Sequence, residues 1–230
     1  MVETHPPWFL RAVELLELRS RNRLLLAMPG SVDLAVAAAN LCGPQGAVTI
    51  IEPRRAVAKS IASALPTAEI VVTDTIGEER YGSFDSVLGI PLCGPLPPIE
   101  AWAELVGRNL RPGGRFTIDL PAPTSWPDVT TAANATDPDF AARLTSALSG
   151  PTAEELMAAL METGLRQVQS LLGTHLTCFA SPFDLIDLLA SWHRIDADER
   201  SALGDALSRQ LQRTTDIETL AHRTAVSGMR

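Results

Sequence analysis

Leu110-Arg-Pro-Gly-Gly-Arg-Phe-Thr-Ile-Asp-Leu120 reads as a turn feeding a strand. Pro112 fixes its own backbone, Gly113 and Gly114 supply the freedom a reversal needs, and Arg115 to Asp119 is mostly β-forming. Upstream, Glu100 to Asn109 carries apolar residues at helical spacing, so helix, turn and strand follow one another. The same alternation runs back through the chain. An amphipathic helix is expected over 8–19, a strand over 23–27, a helix over 33–41, a strand over 47–51, a helix over 55–64, and strands over 69–73 and 86–88. The run from Leu24 to Ala27 is wholly apolar, as in a central parallel strand buried on both faces. Strands alternating with helices predict a parallel sheet covered on both sides.

Downstream, residues 121–139 hold four prolines among small polar residues and Trp126, which reads as a loop or lid. Thr152, Glu155 and Gly164 mark the cap, capping-box partner and end of a helix. A strand over 166–172, helices from Pro182 to about Trp192 and over 198–212, and a closing strand over 222–229 complete the reading. One domain spans 1–230, with a lid or loop insertion at 121–150 and helical additions at 181–213.

Composition narrows the function. A length of 230 residues suits one α/β domain with a substantial core. A formal net charge of −8, with Lys59 the only lysine, repels a phosphate backbone and argues against nucleic acid as a partner. Cys42, Cys93 and Cys178 lack CxxC spacing and read as buried or partly buried thiols. His5, His175, His193 and His222 form no metal-binding pattern, so no metal is expected. The first residues lack a basic region followed by an apolar run, and no apolar segment reaches membrane-spanning length; the expectation is a soluble, cytoplasmic protein.

Taken in order, these segments resemble the class I S-adenosylmethionine (SAM)-dependent methyltransferases related to the type 11 and ubiquinone/menaquinone methyltransferase families. The resemblance covers nearly the whole chain, including the helix after Ser181-Pro182, the acidic helix after Asp196 and the Thr224-Ala-Val-Ser-Gly strand. It implies a Rossmann-like α/β sheet of seven strands, mostly parallel with helices on both faces, closed by an antiparallel strand. The cofactor would lie over the carboxyl ends of the first strands. The family ends its first strand with a carboxylate followed by Gly-x-Gly-x-Gly, because the backbone must approach the cofactor closely. Here Leu26 stands for the carboxylate, Met28 for the first glycine, Gly30 for the second and Val32 for the third. Only Gly30 matches, and it also serves as an ordinary turn residue after Pro29. Losing a hydrogen bond to a charged group costs roughly 1.5–3 kcal/mol, about 10- to 100-fold in affinity.

Other positions match in type. Glu52 ends the second strand, where the family holds both ribose hydroxyls with an acidic residue, and Asp74 falls where an Asp nears the adenine amine. The implied cofactor contacts are Ala27, Met28, Gly30, Glu52, Asp74 and Gly89. Phe84 is read as packing and Asp85 as organising its turn. The segment Gly89 to Pro98, where substrate would meet the methyl group, supplies no His, Asp, Asn or Tyr as a base. His175 and His193 are the histidines available for that role, and each is equally an ordinary structural residue. Trp126 either lines an apolar substrate pocket or packs its loop onto the domain. The resemblance also implies less amino-terminal helix than many relatives carry, leaving an open cleft or a partner surface.

Three functions fit this sequence. The first is SAM-dependent methyl transfer to a small, apolar molecule, in which holding nucleophile and methyl in line suffices without a base. The second is a catalytically inactive relative acting as a binding, regulatory or dimerisation module, its pocket closed by Leu26, Met28 and Val32. The third, a nicotinamide-dependent dehydrogenase, also needs the missing glycines and has no use for the Leu-Arg-Pro-Gly-Gly segment.

Overall fold

The computed structural model describes residues 6–91, 96–123, 125–190 and 193–230. The strands are β1 (Arg23–Ala27), β2 (Ala47–Ile51), β3 (Glu69–Val71), β4 (Phe84–Gly89), β5 (Leu110–Pro121), β6 (Arg166–Phe179) and β7 (Ile217–Met229). The helices are α1 (Pro7–Leu16), α2 (Val32–Cys42), α3 (Arg55–Ala64), α4 (Ile99–Asn109), α5 (Pro127–Asn134), α6 (Pro138–Leu148), α7 (Ala153–Glu162), α8 (Pro182–Ala190) and α9 (Ala197–Leu211). The sheet has seven strands in the order β3-β2-β1-β4-β5-β7-β6. Pairings from β3 through β5 are parallel, and β7 runs antiparallel to both neighbours.

The period-two pattern of a strand explains the double burial. Leu24 and Leu26 face a layer made by α1, α2 and α3, with Ile50 and Leu88 beside them. Leu25 and Ala27 face the opposite layer, where Ile51, Val87, Phe116 and Ile118 meet Trp102 of α4 and Leu160 of α7. A third cluster, from α5, α6, α8 and α9, packs Trp126, Phe140, Leu185 and Leu207 against Ile217 and Ala221 of β7.

Two expectations are corrected. Residues 127–134 and 138–148 are helices rather than a loop. Their prolines stand in the first turn, where a missing N–H costs nothing, and Asp137 accepts a hydrogen bond from Phe140 N at 2.8 Å as a cap. Pro112-Gly113-Gly114 lies inside β5 rather than before it. Gly113 N donates to Arg230 O, and Arg230 N to Gly114 O, so the expected turn is an irregular strand start zipped to the end of the chain. β6 and β7 are also longer than their apolar residues foretold. The expected cap at Thr152 is present as a reciprocal capping box with Glu155.

One buried ionic cluster ties β5, β7, α1 and the exit of β4 together. Asp119, fully buried on β5, accepts from Arg223 Nε of β7 and from Arg11 of α1 at 2.9 Å. Arg223 also donates to the carbonyls of Pro91 and Asp119, at 2.8 and 2.7 Å, and its guanidinium lies 4.3 Å from the Trp8 ring centroid. Removing one partner of such a pair strands the other charge in the interior. Arg223→Leu should therefore lower stability by about 3–5 kcal/mol, read as a shift in urea unfolding; a change within error would mean the cluster is spectator structure.

Candidate functional site

The sheet order reverses between β1 and β4, and open α/β sheets place their ligand crevice at the carboxyl ends beside such a reversal. Three segments leave the sheet there. Met28 N donates to Ile51 O at 2.8 Å, Ile90 N to Ala27 O at 3.1 Å, and Glu52 N to Val71 O at 3.0 Å, so the exits of β1, β2 and β4 are stitched together. Among them the loop after β1 keeps glycine-like backbone without most of the glycines. Met28 has φ +55° and Gly30 φ +69°, both in the left-handed region. Ser31 then caps α2 by accepting from Asp33 N.

Met28 differs from a glycine in what it fills. Its side chain is 3% exposed and belongs to the cluster of Ile51, Ile76 and Trp102. Val32 packs against the opposite layer with Leu26. Thus the three residues standing at family carboxylate and glycine positions pack into the domain.

Glu52 is fully buried, and its carboxylate is engaged on both oxygens. Oε2 accepts from Gly30 N at 3.0 Å; Oε1 accepts from Arg54 N at 3.2 Å and Arg54 Nε at 3.0 Å. The far end of the same guanidinium donates to Gly30 O at 2.6 Å. Arg54 therefore closes a ring: carboxylate to glycine amide, glycine carbonyl to guanidinium, guanidinium to carboxylate. Its side chain retains 22% exposure, so it covers Glu52 from the solvent side. Arg54 was not legible as a site residue, since an arginine two positions after an acid signals nothing until the loop folds over both.

Asp74 is exposed after β3 and lines a cleft of about 350 Å³ with Ile76, Glu78, Pro97, Pro98, Ala101 and Glu104. That volume lies in the range of small-molecule sites. Gly89 has a packing reason of its own. A Cβ there would come within 2.5 Å of Trp102 and 2.8 Å of Ile118. The indole Nε1–H of the fully buried Trp102 has no hydrogen-bond partner among the described residues. Within the expected substrate-facing segment, Leu92, Cys93, Gly94 and Pro95 lie outside the described residues, as do His5 and Trp192.

The remaining sequence candidates are dispersed. His175 lies on β6 beside Arg11, where burial first and then the Arg11 charge hold its imidazole below the ordinary value of 6.5. His193 follows α8 and lines a cavity of about 260 Å³ with Phe140, Arg143, Leu144 and Ile195; burial lowers its pKa as well. Trp126 is 4% exposed and sits 6.1 Å from Phe179 inside the helical cluster, so it packs its segment onto the domain. Asp85 pins the start of β1 by accepting from Arg23 N at 2.7 Å, and Phe84 is buried beneath Arg23. Cys42 is buried, with its thiol pushed up to about 11 by burial and then Asp85. Cys178, expected to be at least partly buried, is exposed, because among the described residues no helix covers that face at the far end of β6. Among the described residues no three His, Cys, Asp or Glu side chains gather to hold a metal ion, and no helix is long and apolar enough to cross a membrane.

No protein-family model and no curated protein matches the chain. Solved structures match along nearly its whole length. The YcgJ protein of Bacillus subtilis aligns with TM-score 0.64 at 13% identity, covering 97% of this chain and 97% of its own. A SAM-dependent methyltransferase of Archaeoglobus fulgidus gives 0.52 at 14%, covering 96% and 92%. Aeropyrum pernix fibrillarin, solved with natively bound S-adenosyl-L-methionine, gives 0.50 at 14%, covering 96% and 74%. The fold is that of the class I methyltransferases.

The histidines set a pH dependence. Unfolded chains take a proton near pH 6.5 and the folded protein only at lower pH, so below 6.5 the unfolded state binds more protons. Stability should be flat above that value and fall as the pH drops below it. Urea midpoints across this range should slope for the wild type and flatten for a His175→Gln/His193→Gln variant; equal slopes would remove the histidines as the cause.

Proposed function

We propose that this chain is a SAM-dependent methyltransferase with a divergent cofactor loop, acting on a small, apolar molecule. One observation carries the reading: a wholly buried carboxylate, Glu52, stands at the tip of β2 with the left-handed loop of Met28 and Gly30 folded onto it. Burying a carboxylate is costly unless its oxygens are satisfied. At that position two acceptor oxygens match the two hydroxyls of a ribose. Asp74 and the cleft beside Ile76 and Pro97 would take the adenine end, with the Asp74 carboxylate accepting from the exocyclic amine.

Bound there, SAM would supply an electrophilic methyl group for in-line displacement by the acceptor. This chain's own residues position and shield. Ala27 and Gly89 present backbone at adjacent strand ends, while Arg223 holds the Pro91 carbonyl and so fixes the path leaving β4. A soluble, cytoplasmic setting belongs to the same proposal.

The ring around Glu52 makes a definite demand on binding. Ribose hydroxyls can reach the carboxylate only by replacing Arg54, so Arg54 acts as a cover that competes with the cofactor. The competing reading is a binding module without turnover, favoured by the 3% exposure of Met28 in the cluster with Ile76 and Trp102.

Calorimetric titration with SAM and S-adenosylhomocysteine separates them. Arg54→Ala should tighten binding by about 10-fold, and Glu52→Ala should weaken it by about 10- to 100-fold, on the scale of one hydrogen bond to a charged group. Binding indifferent to both substitutions would sink the ribose assignment. Met28→Gly should cost stability by about 1–4 kcal/mol, the loss of a buried side chain offset in part by relief at a left-handed position. A protein that binds neither ligand as wild type but binds both as Met28→Gly would establish the closed pocket of the binding-module reading.

A further inference from the structure

β6 is the outermost strand of the sheet, beyond β7, and no strand pairs with its other side among the described residues. Its pairing with β7 shifts register only between Arg166 and Gln169. From Gln169 to Phe179 it runs without interruption against Ser227 to Ile217. The outward N–H and C=O groups of this stretch therefore form a long, regular, unpaired ladder.

Soluble proteins blunt such edges with charges, proline, bulges or short strands. This one does the opposite. From Gln167 to Phe179 it carries no Asp, Glu, Lys, Arg or Pro, in a chain whose net charge is −8. Leu171, Leu172 and Leu176 are 46%, 67% and 52% exposed. Strand alternation puts Leu172, Thr174, Leu176 and Cys178 on one face. That face is uncovered beyond the reach of α7, and Cys178 on it is exposed.

We propose that β6 is the interface through which two copies of this chain form a dimer, pairing antiparallel across a twofold axis. A strand edge offers donors and acceptors in alternation, so a second copy rotated by half a turn presents the complementary ladder; the contact is self-complementary and closes at two. Charge selects the same place. Two chains of net charge −8 repel wherever acidic surfaces meet, and the charge-free edge lets them approach without burying like charges. Pairing carries Leu172 and Leu176 against their counterparts and removes their exposed surface from water. The inference stands on the sheet edge alone and is independent of the cofactor reading.

Size-exclusion chromatography with light scattering tests it. The wild type should elute at twice the 24.6 kDa chain mass. Leu172→Lys/Leu176→Lys changes exposed positions only and should elute as a monomer with unchanged circular dichroism. Met161→Lys, 53% exposed on α7, should stay dimeric. A wild type that remains monomeric at high micromolar concentration, one that forms a ladder of larger species, or a double variant that stays dimeric would each overturn the proposal.

Discussion

The carboxylate of Glu52 cannot be left unsatisfied, and that constraint organises the carboxyl edge of the sheet. It is fully buried at the end of β2, where an unpaired charge is costly, so it must draw donors from its surroundings. Gly30 N and Arg54 supply them, and in doing so fix the loop after β1. The left-handed turns at Met28 and Gly30 bring the Gly30 amide within reach. The fold's ligand crevice is thus shaped by one acid that polar partners must always cover.

The packing of Met28 and the contact of Arg54 with Glu52 are linked. A glycine at position 28 would leave space that the Met28 side chain instead fills against Ile76 and Trp102. With that space filled, Glu52 needs a partner from the chain itself whenever no ligand is present, and Arg54 is that partner. The same residues satisfy the domain in isolation and, under the proposed function, would have to yield to an adenosyl group, so that affinity would be set by a difference between two sets of hydrogen bonds.

Much of the fold was legible in the sequence because its signals are local. The apolar run Leu24 to Ala27, the helix over 55–64 and the Thr152–Glu155 cap each announce themselves within a few residues, and the structure places them there. Residues 121–150 misled because proline was read as a breaker, when Pro127 and Pro138 sit in the first turn of helices, the one place proline helps. The lengths of β6 and β7 were hidden because their outer halves mix polar residues such as Thr174, Thr177, Glu218 and Thr219 with few large apolar ones, and hold their extension by pairing with each other. At the candidate site, Glu52 was singled out by the family resemblance and the structure places it buried at the end of β2, whereas the Arg54 ring and the Asp119–Arg223–Arg11 cluster join residues whose proximity only the folded chain creates.

The most direct test of the Glu52–Arg54 competition is to follow the Arg54 Nε–H and Gly30 amide resonances by ¹H–¹⁵N NMR while S-adenosylhomocysteine is added. The account predicts that Arg54 Nε–H is protected from exchange in the free protein and that both signals shift together as ligand binds, with Arg54 losing its protection. Saturable binding that leaves Arg54 Nε–H protected and unmoved would contradict the claim that the guanidinium and the ribose share one carboxylate.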